Sequence, residues 1–222
     1  MSHSFDEFVA VIAQLRAPDG CPWDRAQTPQ TLRRYLLEEA YEALEAIDLN
    51  QPQRLKEELG DLLLQIVLQA QIASETSEFT IADVIGHIHA KMIRRHPHVF
   101  GDLKGASIAA IEANWEQIKR TEKLAGAELT SFFKDIPKGL PALTASEDMQ
   151  QRASRVGLWN GDDAESELRL GETWQQWHAR RDSASLGDLL FMLVDQSRRA
   201  GLDAESALRE ANHRFEQALS SK

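Results

Sequence analysis

Five acidic side chains stand close together in the first half of this chain. Glu38, Glu39 and Glu42 form the pattern Glu-Glu-x-x-Glu, and Glu58 and Asp61 follow as Glu-x-x-Asp. On an α-helix, residues three and four apart share a face, so each set can converge on one point. Carboxylates gathered beside an apolar surface repel one another and resist desolvation, at a cost of several kcal/mol or of protonation. A divalent cation removes that conflict. A set of hard oxygens without Cys or His selects Mg²⁺ or Mn²⁺ rather than zinc.

The two segments read as neighbouring helices. Over 32–47, Leu32, Leu36, Ala40, Ala43, Leu44 and Ile47 make one apolar arc. Glu39 falls inside that arc, Glu42 at its edge and Glu38 further out, while Glu45 points away toward solvent. Over 55–73 the apolar residues run nearly all the way round, which predicts a buried helix. Glu58, Asp61, Gln65 and Gln69 form one narrow polar stripe along it. A solvated face would explain the first three acids, since Glu runs are common on helices. It explains Glu58 and Asp61 poorly, because Leu and Ile flank their stripe on both sides.

The rest of the chain is also helical in pattern, and no strand period competes. Helices are predicted over 5–15, 81–95 (capped by Thr80, ended by Pro97), 108–124, 143–155, 163–180, 183–200 and 204–219. Residues 17–28 read as a loop, and 126–142, with Pro137, Gly139 and Pro141, as a linker between domains. His96 and His98, two apart around Pro97, are expected to point away from each other in a helix-ending turn rather than to bind metal. Cys21, without a partner base, reads as structural.

A faint repeat links the two halves. Leu59-Gly60-Asp61-Leu62-Leu63-Leu64 returns as Leu186-Gly187-Asp188-Leu189-Leu190-Phe191. Ser185 stands where Glu58 stands, and the helix before it lacks a three-acid cluster. Duplication followed by loss of the acids accounts for this. Asp188 alone cannot hold a divalent ion.

Composition narrows the function. The 222 residues suffice for one or two domains, and 42% are apolar. A net charge of −10 argues against nucleic acid and against an anionic membrane surface as partners. The single cysteine excludes a disulfide framework and fits a reducing cytosol. The N-terminus has no signal-peptide pattern, and Gln65, Gln69 and Gln71 interrupt the longest apolar run. A cytoplasmic protein is expected.

With these residues in place the chain resembles the MazG family, the all-α nucleoside triphosphate pyrophosphohydrolases. The family's EExxE and ExxD motifs match Glu38-Glu39-x-x-Glu42 and Glu58-x-x-Asp61. Further matches are Gly20-Cys21-Pro22-Trp23-Asp24, Arg94 to Phe100, Trp115 to Lys119 and Ile136 to Leu143. The resemblance covers residues 1 to about 145 and is weak beyond. It implies a catalytic domain over 1–125, the linker over 126–142 and a degenerate second MazG-like domain over 143–222. In well-studied members the second domain is the active one. Its decay here shifts the expected activity to the first.

The resemblance implies an all-α helical bundle whose four-helix core is completed by a homodimer. It also implies hydrolysis of a nucleoside triphosphate to monophosphate and pyrophosphate. Glu39, Glu42, Glu58 and Asp61 would hold Mg²⁺, with Mn²⁺ as substitute. Glu38 would be a ligand of a second ion or the base that orients the attacking water. Lys91, Arg95, Trp115 and Lys119 match positions that contact nucleotide. The motifs leave open a narrower dUTP, dCTP or phosphoribosyl-ATP enzyme, and a non-catalytic nucleotide-binding scaffold. A di-iron bundle is disfavoured, because none of Glu39, Glu42 and Glu58 has a His three residues on.

Overall fold

Helix boundaries follow the start and stop chemistry of the chain. The computed structural model describes residues 4–101, 107, 111, 133, 136–159 and 161–220. Among them every regular element is a helix. The chain divides into two compact units, Met1–Lys119 and Arg120–Lys222.

The first unit contains α1 (Phe5–Arg16), α2 (Pro22–Arg25), α3 (Pro29–Asp48), α4 (Pro52–Glu75), α5 (Ile81–Arg95) and α6 (Pro97–Phe100). Ser4 with Glu7, Thr28 with Thr31 and Thr80 with Asp83 form capping boxes at the starts of α1, α3 and α5. Each box satisfies amide groups that the first turn leaves without partners. The α3–α4 hairpin turns at Asn50, whose φ of 51° is left-handed. Gln51 N–H donates to the Ala46 carbonyl at 2.9 Å, closing the end of α3, and Pro52 starts α4 at once. The turn is what brings the two acidic segments side by side.

Ile12, Leu32, Val67 and Leu68 form the buried core of this unit, with Phe8, Leu15, Tyr35, Leu64 and Ile72 packed around them. Full burial of one such side chain stabilises by roughly 1.5–3 kcal/mol. The Gly20–Asp24 segment is fixed to this core. A Cβ on Gly20 would lie 2.3 Å from the Leu15 carbonyl oxygen, so only glycine lets the loop close over the end of α1. Arg16, almost fully buried, donates to both oxygens of Glu75 at 2.7 Å and to the carbonyls of Asp24 and Gln27. It ties α1, the loop and the end of α4 together.

The second unit contains α7 (Ala142–Arg155), α8 (Asp163–Arg180), α9 (Ser183–Arg199) and α10 (Ala204–Ser220). The α8–α9 hairpin also turns on a left-handed residue, Arg181 with φ 53°, whose guanidinium lies 4.2 Å from the Trp177 ring centroid. Leu189, Met192 and Val194 supply its buried apolar surface, and Gln150 Nε2 on α7 donates to the Phe191 carbonyl at 2.7 Å. Both copies of the sequence repeat therefore lie on the second helix of a hairpin.

Four expectations change. Residues 17–28, read as a loop, contain the short helix α2, which Pro22 opens. Pro97, which ends α5, also opens the short helix α6. His96 and His98 do not point apart: their rings sit 5.5 Å centroid to centroid, because helical turning at Pro97 brings them to one side. His96 Nδ1 meets the Met92 carbonyl at 2.7 Å, as a helix-ending residue should. Finally, α4 is not buried all round. Leu59, Leu63 and Ile66 are exposed on one flank, since α3, α1 and α5 leave that flank uncovered. The helix expected over 108–124 and most of the linker expected over 126–142 lie outside the described residues. Ile136, in that linker, is buried.

Candidate metal and nucleotide site

The α3–α4 hairpin sets the acids in a ladder. The helices run in opposite directions from the turn, so side chains pair by level. Next to the turn stand Glu45 of α3 and Arg54 of α4, whose guanidinium and carboxylate form an ion pair. One turn further along, Glu42 stands beside Glu58, close enough for a hydrogen bond between the two carboxyl groups. Beyond them Glu39 meets Asp61. One carboxylate oxygen each from Glu39, Glu58 and Asp61 lies within 4.8 Å of the others. That spacing fits three oxygens around one hard divalent ion after small side-chain adjustments.

Glu58 is buried, 8% exposed, on the stripe that also carries the buried Gln65. Glu39 and Glu42 are half-buried. Glu38 is exposed, with Arg34 Nη2 4.0 Å away. Asp61, expected inside with Glu58, is exposed. It lies between Glu58 and Gln65 along the helix, and both of those are buried while Asp61 is not. An open cleft of about 650 Å³ runs along the start of α3 past Gln27, Thr31, Arg33, Arg34 and Tyr35, and Arg34 connects it to Glu38.

The electrostatics are those of an uncompensated cluster. Burial pushes the Glu39 carboxyl above its ordinary value, and the charges of Asp61, Glu42, Glu58 and Glu38 push it further. The Glu42 carboxyl also rises, through partial burial and then through Glu58 and Glu38, with Arg54 opposing. Among the described residues, five acids against two guanidinium groups, Arg54 at Glu58 and the more distant Arg34 at Glu38, leave the cluster negative. The orphaned carboxylate charge suits a cation of charge two.

Lys91 and Arg95 lie four residues apart on α5, both half-buried. Trp115 and Lys119 lie outside the described residues. Trp23 is exposed and meets Tyr35 edge-on at 6.1 Å.

Sequence reasoning missed Arg54 and misread Glu45. Glu45 does not point away: it continues the acid face one turn beyond Glu42, where it pairs with Arg54. The signal was present: Arg54 precedes Glu58 by four residues, the spacing of a helical ion pair.

Comparison with known proteins bears on these same residues. The MazG nucleotide pyrophosphohydrolase domain matches residues 27–100, which include all five acids with Lys91 and Arg95. The nucleoside triphosphate pyrophosphohydrolase/pyrophosphatase MazG of Thermotoga maritima is 45% identical over 215 residues, 95% of this chain and 82% of that protein. The nucleoside triphosphate pyrophosphohydrolase of Escherichia coli K12 is 39% identical over 224 residues, 96% of this chain and 85% of that protein. YabN of Bacillus subtilis, uncharacterized, is 41% identical over 98% of this chain and 46% of its own length. With a motif-bearing hairpin of this geometry and identity of this extent, the chain belongs to the MazG family.

Proposed function

We propose that this chain hydrolyses nucleoside triphosphates to nucleoside monophosphate and pyrophosphate at the α3–α4 acid cluster. The observation that carries the reading is the meeting of Glu39, Glu58 and Asp61 oxygens within 4.8 Å, where Arg54 is the one cation paired with them among the described residues. Two relatives that align along nearly the whole chain are named nucleoside triphosphate pyrophosphohydrolases.

Glu39, Glu42, Glu58 and Asp61 hold a divalent ion, Mg²⁺ with Mn²⁺ as substitute. Bound there, the ion supplies positive charge for the phosphate oxygens and acidifies water. Glu38, exposed at the edge of the cluster, accepts a proton from the water that attacks the α-phosphorus, or binds a second ion. The new bond joins water oxygen to the α-phosphorus, and the bond to the bridging α–β oxygen breaks. Pyrophosphate leaves with that oxygen. Lys91 and Arg95 on α5, with Lys119, take up charge on the leaving group, and Trp115 covers or stacks on the base.

Catalysis belongs to residues 1–125, joined by 126–142 to a degenerate second domain over 143–222. The working form is a cytoplasmic homodimer. Leu59, Leu63 and Ile66 on α4, with Leu36 and Leu37 on α3, leave an apolar flank that a second hairpin would cover. Release of pyrophosphate from each of the eight common NTPs and dNTPs, with and without Mg²⁺, tests the reading. Broad Mg²⁺-dependent release supports it, and confinement to one nucleotide narrows it to a specific diphosphatase. No release from any nucleotide makes the chain a binding scaffold.

A further inference from the structure

Among the described residues, the side chain of opposite sign that touches the buried member of the acid cluster is Arg54, which the proposed reaction does not use. Arg54 stands one turn before Glu58 on α4, and its Nε donates to Glu58 Oε1 at 3.3 Å. The same guanidinium pairs with Glu45 on α3. It therefore bridges the two helices of the hairpin at the level next to the turn.

We infer that Glu45 and Arg54 are a positioning pair for the cation site: Glu45 fixes the guanidinium from the facing helix, and the guanidinium fixes the buried Glu58 carboxylate beside Glu39 and Asp61. The inference rests on the reading of those acids as a cation site. Glu58 needs such support more than its neighbours. It is buried, and Glu42, Glu39 and Asp61 all repel it. Left alone, its side chain would rotate away from them and take its charge out of the cluster. A guanidinium is suited to prevent this, because its planar fork can grip two carboxylates at fixed angles.

The position of the pair matters as much as its charge. Glu45 lies one turn beyond Glu42 toward the hairpin turn, and Arg54 lies one turn before Glu58 on the same side. The guanidinium is drawn toward the turn, while Glu39 and Asp61 lie on the opposite side of Glu58. Glu45 also offsets part of the charge that Arg54 brings. An unaccompanied arginine would compete with a divalent ion for Glu58, whereas a partly neutralised one orients Glu58 with less opposition to the ion. Second partners of this kind typically alter metal affinity by about 10–100-fold when removed.

The test measures Mn²⁺ binding to the full chain without nucleotide, by electron paramagnetic resonance of free Mn²⁺, well below the unfolding temperature. Arg54→Met should weaken Mn²⁺ binding about tenfold and Arg54→Lys less. Glu45→Gln should weaken it about threefold, and adding Glu45→Gln to Arg54→Met should cost nothing further, because the two act through one contact. In turnover, the Mg²⁺ concentration for half-maximal pyrophosphate release should rise more than kcat falls. A lowered Tm with wild-type Mn²⁺ affinity in both Arg54→Lys and Glu45→Gln overturns the inference and makes the pair purely structural. Tighter Mn²⁺ binding by Arg54→Met also overturns it, since Arg54 would then be a competitor of the ion. If the wild-type chain binds no Mn²⁺, the cation-site reading itself falls and this inference with it. A wild-type chain that binds Mn²⁺ beside variants that bind equally well sinks this inference alone.

Discussion

Glu58 and Asp195 are both carboxylates buried on the second helix of a helical hairpin, and their surroundings could hardly differ more. Asp195, 1% exposed, accepts from Arg198 at 2.6 Å, Arg199 at 2.8 Å, Ser166 at 2.7 Å and Trp159 at 2.9 Å. Burial by itself would raise its carboxyl. Hydrogen bonds from Arg199, Ser166, Arg198 and Trp159 outweigh burial and hold it far below the usual carboxylate range. Glu58 has one guanidinium and three acids around it. A buried acid that the fold satisfies is a structural clamp. One that the fold leaves in the company of other acids awaits a charge from outside.

The second unit has no acid in the register of Glu58, and its hairpin differs there in local structure as well. Helix α4 begins two turns before Glu58, at Pro52, whereas α9 begins at Ser183, within a turn of Ser185. Ser185 has become part of a helix start: its N–H and Oγ both donate to Asp182 Oδ1, at 2.8 and 2.7 Å. Arg181, in the sequence register of Arg54, has become the turn residue stacked on Trp177. The shortened hairpin has no place for the pairing that Arg54 makes.

Mutation of the two kinds of acid should give opposite signatures, and these are the largest effects expected. Glu39→Ala or Asp61→Ala should reduce pyrophosphate release to background while leaving metal-free Tm unchanged or higher, because a repelling charge is removed. Circular dichroism that shows lost helicity in either variant would break the contrast. Asp195→Ala should instead cost about 3–5 kcal/mol of stability in denaturant unfolding, since Arg198 and Arg199 lose their buried partner. An Asp195→Ala chain as stable as wild type would mean that the second unit tolerates unbalanced charge as the first does.

A smaller effect should appear with pH. Glu39 and Glu42 have folded pKa values above their unfolded ones. Such groups bind protons more readily when folded, so their contribution is fully present below the unfolded value, about 4.3, and is lost as pH rises through the raised value. Asp195, Asp182 and Asp203 are depressed, so their contribution is present above about 3.9 and is lost as pH falls through their folded values. Metal-free protein taken from neutral pH down toward the ordinary carboxylate range should therefore gain hydrogen-exchange protection in α3 and α4 before α9 responds. Stabilisation by added Mg²⁺ should shrink over the same range, because protonated ligands release the ion. Equal pH response in both hairpins would refute the distinction.

The legible part of this protein was the part written in local rules. Cap residues, prolines and apolar period fixed the helices closely, and the two acidic motifs lie on adjoining helices as their spacing requires. What the spacing could not convey was depth. Helical period assigns a direction around an axis, and it placed Asp61 on one stripe with Glu58 and Gln65 without showing that those two are covered and Asp61 is not. The same limit applies to Leu59, Leu63 and Ile66, which look like core and lie exposed, as do Leu186, Leu190 and Leu193 in the same register of α9. Arg54 and Arg16 were hidden for another reason. Each acts on residues brought near by a turn or a loop closure, and a charged residue at a helix end looks like any solvated one until that closure is known.

The smallest effect should come from Asp188, the one acid of the repeat that persists in the second unit. It occupies the register of Asp61 and is exposed as Asp61 is, but Ser185 replaces Glu58 before it, and α8 carries no Glu-Glu-x-x-Glu cluster. A single exposed carboxylate gains nothing from a divalent ion that water does not already offer. Asp188→Ala should thus leave pyrophosphate release within twofold and stability within about 0.5 kcal/mol of wild type. Measured beside Asp61→Ala in one assay, it separates a position that matters for its register from one that matters for its company. If Asp188→Ala lowered Mg²⁺-dependent turnover tenfold, the second hairpin would have to contribute to catalysis, and the division of labour between the two units would be wrong.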